Sequence, residues 1–268
     1  MRNVSLPLLI FFLGSLLTVP AKAQPSFTVL KEFPAPEARQ AVAVDSTCFY
    51  AIDNHAIGKY DKHTGQRLAR WVGPDDGPIH HLNSGVVIGH LLYCAHSNYP
   101  HVPMSSSIEI WDTRTLQHVG NHSFGIYEGS ATWVDYHDGS WWVVFANYAT
   151  KGGQAGKDPS WTTLVRFDSS WVRREAWVFP DTVIERFRPY SNSGGSWGPD
   201  GLLYCTGHSR PELYVLKLPA AGCALDLVRI QPFPSPGQGI AWDRSEPGVL
   251  YSIDRGRRLV VVSRLQTR

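Results

Sequence analysis

The feature that most narrows what this chain can become is a short segment that returns five times. Built on an aromatic or branched residue, it reads CFYAIDN (48–54), LLYCAHSN (91–98), WWVVFANY (141–148), LLYCTGHS (202–209) and VLYSIDRG (249–256); we label it strand B. Ahead of each lies strand A, a small-residue start running into apolar residues: RQAVAVD (39–45), NSGVVIG (83–89), GSATWVD (129–135), SGGSWGPDG (193–201) and GQGIAWD (237–243). After each comes strand C, with period-two alternation: IGKYD (57–61), SIEIWD (107–112), TLVRFD (163–168), ELYVLKL (212–218) and RLVVVSRL (258–265).

A fourth strand, D, ends in an aromatic near Pro or Gly in QRLARWVG (66–73), QHVGNHSFG (117–125), VRREAWVFP (172–180) and LDLVRIQPFP (225–234). The chain stops after the fifth C strand, and the missing D form stands at the other end as FTVLKEFP (27–34). An internal repeat of four short strands, five times over, predicts an all-β, five-bladed β-propeller. The N-terminal strand is expected to complete the last blade and so leave no free sheet edge. His63-Thr64-Gly65, His137-Asp138-Gly139 and Pro199-Asp200-Gly201 supply turns between strands. A β-sandwich, the competing all-β solution, has no need for every fourth strand to look alike.

Residues 1–23 read as a signal peptide. Arg2 gives a positive start, Leu8 to Leu17 form a mostly apolar run, and Ala21-Lys22-Ala23 fits a small-x-small cleavage site. Cleavage after Ala23 would leave one domain, 24–268, that is secreted or periplasmic. No later stretch approaches the roughly 20 apolar residues of a membrane span. Without Arg2 and Lys22 the chain balances its 23 acidic residues with an equal number of Lys and Arg. That balance argues against nucleic acid as a partner. Of the four cysteines, Cys94 and Cys205 hold the same position in non-adjacent repeats, which argues against their pairing. The lack of CxxC spacing argues against a zinc site.

In such a ring the D-to-A and B-to-C connections open on one face, and here they are the long ones: 74–82, 97–106, 148–161 and 181–192. Loops on a rigid scaffold tend to carry function. Six of the eleven histidines fall at this end: His55, His80, His81, His96, His101 and His208. His96 and His208 stand near equivalent ends of strand B. Together with His81 they offer three imidazoles for a divalent metal, with Glu128 as another candidate ligand. The same residues, His81, His96, His208 and Glu128, are the candidate acids and bases.

Asn83, Asn147 and Gln238 are candidate hydrogen-bonding groups. Tyr99, Tyr148 and Tyr190 are candidate stacking surfaces, and Arg210 and Arg255 can hold a carboxylate. Side-chain alternation along an extended chain lets only one of His80 and His81 face the axis, and His81 shares its side with Asn83. The segment 148–161, with Gly152, Gly153 and Gly156, has the composition of a lid. Its GGQAGK does not match a phosphate-binding loop, because a strand follows it rather than a helix.

The rhythm LLYCAHSN…SSIEIWDTRTLQ and LLYCTGHS…PELYVLKLP resembles extracytoplasmic propellers of the YncE-like and NHL-like type. It is also similar to the glutamine cyclotransferase group. The carboxylate which that group places just after its Leu-Tyr has no counterpart at Cys94-Ala95 or Cys205-Thr206, so the resemblance implies architecture and not that activity. WD-repeat signatures are absent apart from Trp111-Asp112.

Two functional classes follow. One is a lyase, hydrolase or cyclase acting on a small polar molecule, such as a sugar derivative or lactone, at the channel mouth. The other is a non-catalytic module that captures a glycan or peptide.

Overall fold

The computed structural model describes residues 25–126 and 128–266; the expected signal peptide lies outside them. The chain forms five antiparallel four-stranded sheets. Blade 1 spans residues 41–72, blade 2 81–125, blade 3 130–178 and blade 4 194–232, each in the spatial order A, B, C, D. Blade 5 takes its A, B and C strands from 241–266 and its D strand from Ser26–Pro34. That first strand pairs with the last, Leu259–Gln266, from Ser26↔Gln266 to Pro34↔Leu259. The fold is therefore the five-bladed propeller, shut by its own N-terminal strand.

Apolar side chains collect in five clusters, one at each boundary between neighbouring blades. Ala41, Tyr50 and Ile52 of blade 1 meet Leu82, Leu92 and Trp111 of blade 2. Phe33, Val260 and Tyr251 of blade 5 meet Val42, Phe49 and Tyr60 of blade 1. Each sheet is thus covered on both faces, which is why the B strands read as nearly unbroken apolar runs instead of alternating. Cys48, Cys94 and Cys205 are buried free thiols within these clusters or beside them, and Cys223 is free and exposed.

The connection 179–193 is not all plain loop. Asp181–Phe187 forms a single short α-helix whose Val183, Ile184 and Phe187 are buried against blades 3 and 4. Among the described residues no helix is long and apolar enough to cross a membrane.

The five A strands line the axis and close it. Below the mouth, a void of about 10 Å³ lies among Val44, Gly85, Val134, Gly195 and Ile240, room for about one water. Close approach of the strands depends on glycine: a Cβ on Gly239 would lie 2.3 Å from that of Ala41.

Candidate functional site

Above this constriction, on the face with the long connections, the axis opens into a cavity of about 390 Å³. Small-molecule sites commonly hold about 300–1,000 Å³. Its wall comes from all five blades. His81 and Asn83 arrive from the start of strand A in blade 2, and Gln238 from the equivalent region of blade 5. His208 and Arg255 stand just past the B strands of blades 4 and 5. Tyr99, Tyr148 and Tyr190 come from the loops.

These eight candidates are brought together; four others are not. His96 lies inside the sheet. Its Nε2 accepts from the His80 backbone N–H (3.0 Å) and its Nδ1 bonds Ser107 Oγ (2.9 Å), which in turn donates to Glu109 Oε1 (2.6 Å). The apparent equivalence with His208 fails by one residue. His96 is two places past Cys94 and still inside the strand Leu91–Ser97, whereas His208 is three past Cys205 and two residues beyond the end of Leu203–Thr206, so strand pairing holds the first and not the second.

Glu128 faces outward, toward Arg173 of the outermost strand of blade 3 (3.7 Å). Asn147 is buried and closes a loop, its Nδ2 donating to the Trp161 carbonyl (3.1 Å). Arg210 sits away from the axis with Arg186, Glu212 and Gln231, where strand C turns back from the mouth. With His96 withdrawn, the set His81, His96 and His208 does not fit a metal ion. No group of three His, Cys, Asp or Glu suited to one occurs among the described residues. His80 does line the cavity beside His81. Strand A of blade 2 begins only at His81, so strict alternation does not reach back to His80.

Arg39, Gln40, Asn54 and Lys151, none of them a candidate from the sequence, also line the cavity. Gln40 was findable, since RQA (39–41) and GQG (237–239) occupy the same place in their blades. Its Nε2 donates to Asn54 Oδ1 (2.7 Å), while Gln238 Nε2 donates to the His208 carbonyl (2.9 Å). Gln238 holds a left-handed backbone, φ 72°, of the kind that concentrates at binding sites.

The electrostatics are one-sided. Arg39, Arg255 and Lys151 line the cavity, and no Asp or Glu does so among the described residues. Asp53, just outside, is shared between Arg39 and Arg258, at 3.6 Å from each. Arg255 has no carboxylate partner among the described residues; its Nη1 donates to His208 Nε2 (2.9 Å). Burial, then Arg39 and Arg258, hold the Arg255 pKa below its usual value. His208 stacks on Tyr190, with ring centres 3.9 Å apart, and its Nδ1 bonds Ser209 Oγ (2.6 Å). Burial first and Arg255 second bring its pKa to about 4. His81 packs on Tyr99 (5.0 Å), which packs on Tyr148 (5.1 Å). Burial, then His96, His55 and Arg255, bring His81 to about 4 as well. At pH 7 these imidazoles are neutral.

This has a consequence for stability. An unfolded imidazole titrates near 6.5, so between about 6.5 and 4 the unfolded chain binds more protons than the folded one. Stability is then fully present above about pH 6.5 and declines as the pH falls toward 4. Melting temperature is expected to drop between pH 7 and 4.5. The His81→Gln/His208→Gln double variant should show a flatter profile over that window, and a slope identical to the parent would contradict the assignment.

No family model matches the chain, and no curated protein matches it. Solved structures of similar shape include a chain of the crystal structure of the mitotic checkpoint complex. It has 10% identity and a TM-score of 0.46, covering 97% of this chain and 99% of that one. The WD40 repeats of RRP9 give 10% identity and a TM-score of 0.45, covering 90% and 100%.

Proposed function

We propose that the channel mouth binds a small anionic polar molecule of the sugar-derivative or lactone-acid kind, in an extracytoplasmic propeller of the YncE-like and NHL-like type. The observation that carries this reading is the cavity wall itself, with three cationic side chains and no carboxylate among its described residues. Like charges gathered in a partly buried site repel one another, and an anion relieves that repulsion. Neutral donors on Gln40, Asn83 and Gln238 suit hydroxyl groups, and the tyrosine rings suit the apolar face of a sugar. Export through residues 1–23 would place the site outside the cytoplasm.

Calorimetry with gluconate, against glucose as the neutral control, tests the proposal. Gluconate should bind and glucose should bind far more weakly. Arg255→Met should weaken gluconate by on the order of 10- to 100-fold, as expected for lost charge-assisted hydrogen bonds, without lowering the melting temperature. Equal affinity for the two compounds would refute the anion site.

One observation favours a second, catalytic reading as lyase, hydrolase or cyclase. The His81 ring lines the cavity, is neutral at pH 7, and has no hydrogen-bond partner among the described residues, so it is free to take a proton from a bound molecule. Following a bound compound by NMR separates the two readings. Turnover lost in His81→Gln supports catalysis, and unaltered compound after prolonged incubation supports capture alone.

A further inference from the structure

We propose that the molecule held at the channel mouth is a polyhydroxylated diacid, with one anionic end on Arg255 beside Arg39 and the other on Lys151. This rests on the anion-binding reading above and makes it more specific.

Arg39 precedes the first strand of blade 1 and Arg255 follows the second strand of blade 5, so both belong to the seam where the ring closes. Three guanidiniums, Arg39, Arg255 and Arg258, lie around Asp53, and the two ion pairs there are those of Arg39 and Arg258. Arg255 is left facing the cavity with a neutral imidazole as its partner.

Lys151 comes from the B-to-C loop of blade 3. In a ring of five, blade 3 is the one opposite the seam between blades 5 and 1. Lys151 likewise forms no ion pair among the described residues.

The loop that carries Lys151 is held in place. Asn147 bonds the Trp161 carbonyl across its base (3.1 Å), and Arg188 pairs with Asp158 (2.8 Å). At its tip, Gly152 has φ 77° and lies so close to Tyr99 that a Cβ there would be 2.7 Å from the ring. The other lysine of the loop, Lys157, lies over the Trp161 ring (5.9 Å) and not in the cavity wall. Two cations without an ion-pair partner among the described residues, one from blade 5 and one from the loop of blade 3, therefore line one cavity together with amide donors and tyrosine rings. A monoanion would satisfy one and leave the other. A linear molecule with a carboxylate at each end and hydroxyls between satisfies both.

The test compares glucarate, a six-carbon diacid, with gluconate, its monoacid counterpart, by calorimetry at pH 7 and low salt. Glucarate is expected to bind at least 10-fold more tightly, with the steeper loss of affinity as salt is raised. Lys151→Met is expected to erase the difference by bringing glucarate down to the gluconate value, while Arg255→Met weakens both. Lys151 is exposed, so the substitution should leave the melting temperature intact. If the two compounds bind equally, or if Lys151→Met leaves a 10-fold preference in place, the diacid proposal is overturned while the anion site stands. If neither binds, both proposals are overturned.

Discussion

A chain beginning at Ala35 is expected to lose its cooperative thermal transition and to elute as oligomer or aggregate. The strand Ser26–Pro34 is mostly solvent-exposed on its own account, and its value lies in what it completes. It covers the strand Leu259–Gln266 along nearly its whole length. Phe27 packs edge-on against Phe233 (5.2 Å) and Phe33 packs on Phe49 (5.3 Å), so it also touches blades 4 and 1. Without it the LVVVSRLQ strand (259–266) becomes an open edge rich in valine, a template for pairing with another chain. The only covalent tie across the 5–1 seam is lost with it. Phe33→Ala isolates the packing contribution, with an expected cost of about 3–5 kcal/mol. A truncated chain that remains monomeric with an unshifted melting temperature would contradict this account of closure.

Lys62→Met is expected to cost about 3–5 kcal/mol, a fall in melting temperature on the order of 10 °C for a domain of this size. Lys62 and Asp243 are both buried and face one another across the same seam, on the side of the ring away from the cavity. Lys62 Nζ also donates to Ser245 Oγ (2.9 Å), and Asp243 Oδ1 accepts from the Ser245 and Glu246 N–H groups (2.9 and 3.2 Å). Removing the ammonium leaves a carboxylate with no counter-charge in a site it cannot leave. The double variant Lys62→Met/Asp243→Leu removes both charges and should recover much of the loss. A single variant that melts within 1 °C of the parent would show that the pair is not what holds the seam.

The strands were legible because a sheet covered on both faces needs apolar residues along its whole length, and that requirement recurs identically in every blade. CFYAIDN and VLYSIDRG look alike because each packs between two neighbours. The helix Asp181–Phe187 was not legible: two turns bury only Val183, Ile184 and Phe187, too few positions for a period to show. The face of the ring that carries the cavity could be read from loop length. Which residues reach the cavity could be read only where the end of the strand was placed correctly. In Cys94-Ala95-His96 the strand runs on past the histidine, while in Cys205-Thr206-Gly207-His208 it stops at Thr206, and that difference leaves one imidazole in the sheet and the other at the cavity. Arg39 and Lys151 carry no motif at all. Lys151 is singled out by the missing carboxylate beside it, and Arg39 by its place beside Arg255 at the seam, both properties of neighbours distant in sequence.

The pinched waist of the axis sets a rule of traffic. With room for about one water between Val44, Gly85, Val134, Gly195 and Ile240, whatever enters the mouth must leave by the same doorway. A polymer cannot be threaded through, so only a free molecule or the tip of a longer chain can be seated, and departure of one guest must precede arrival of the next.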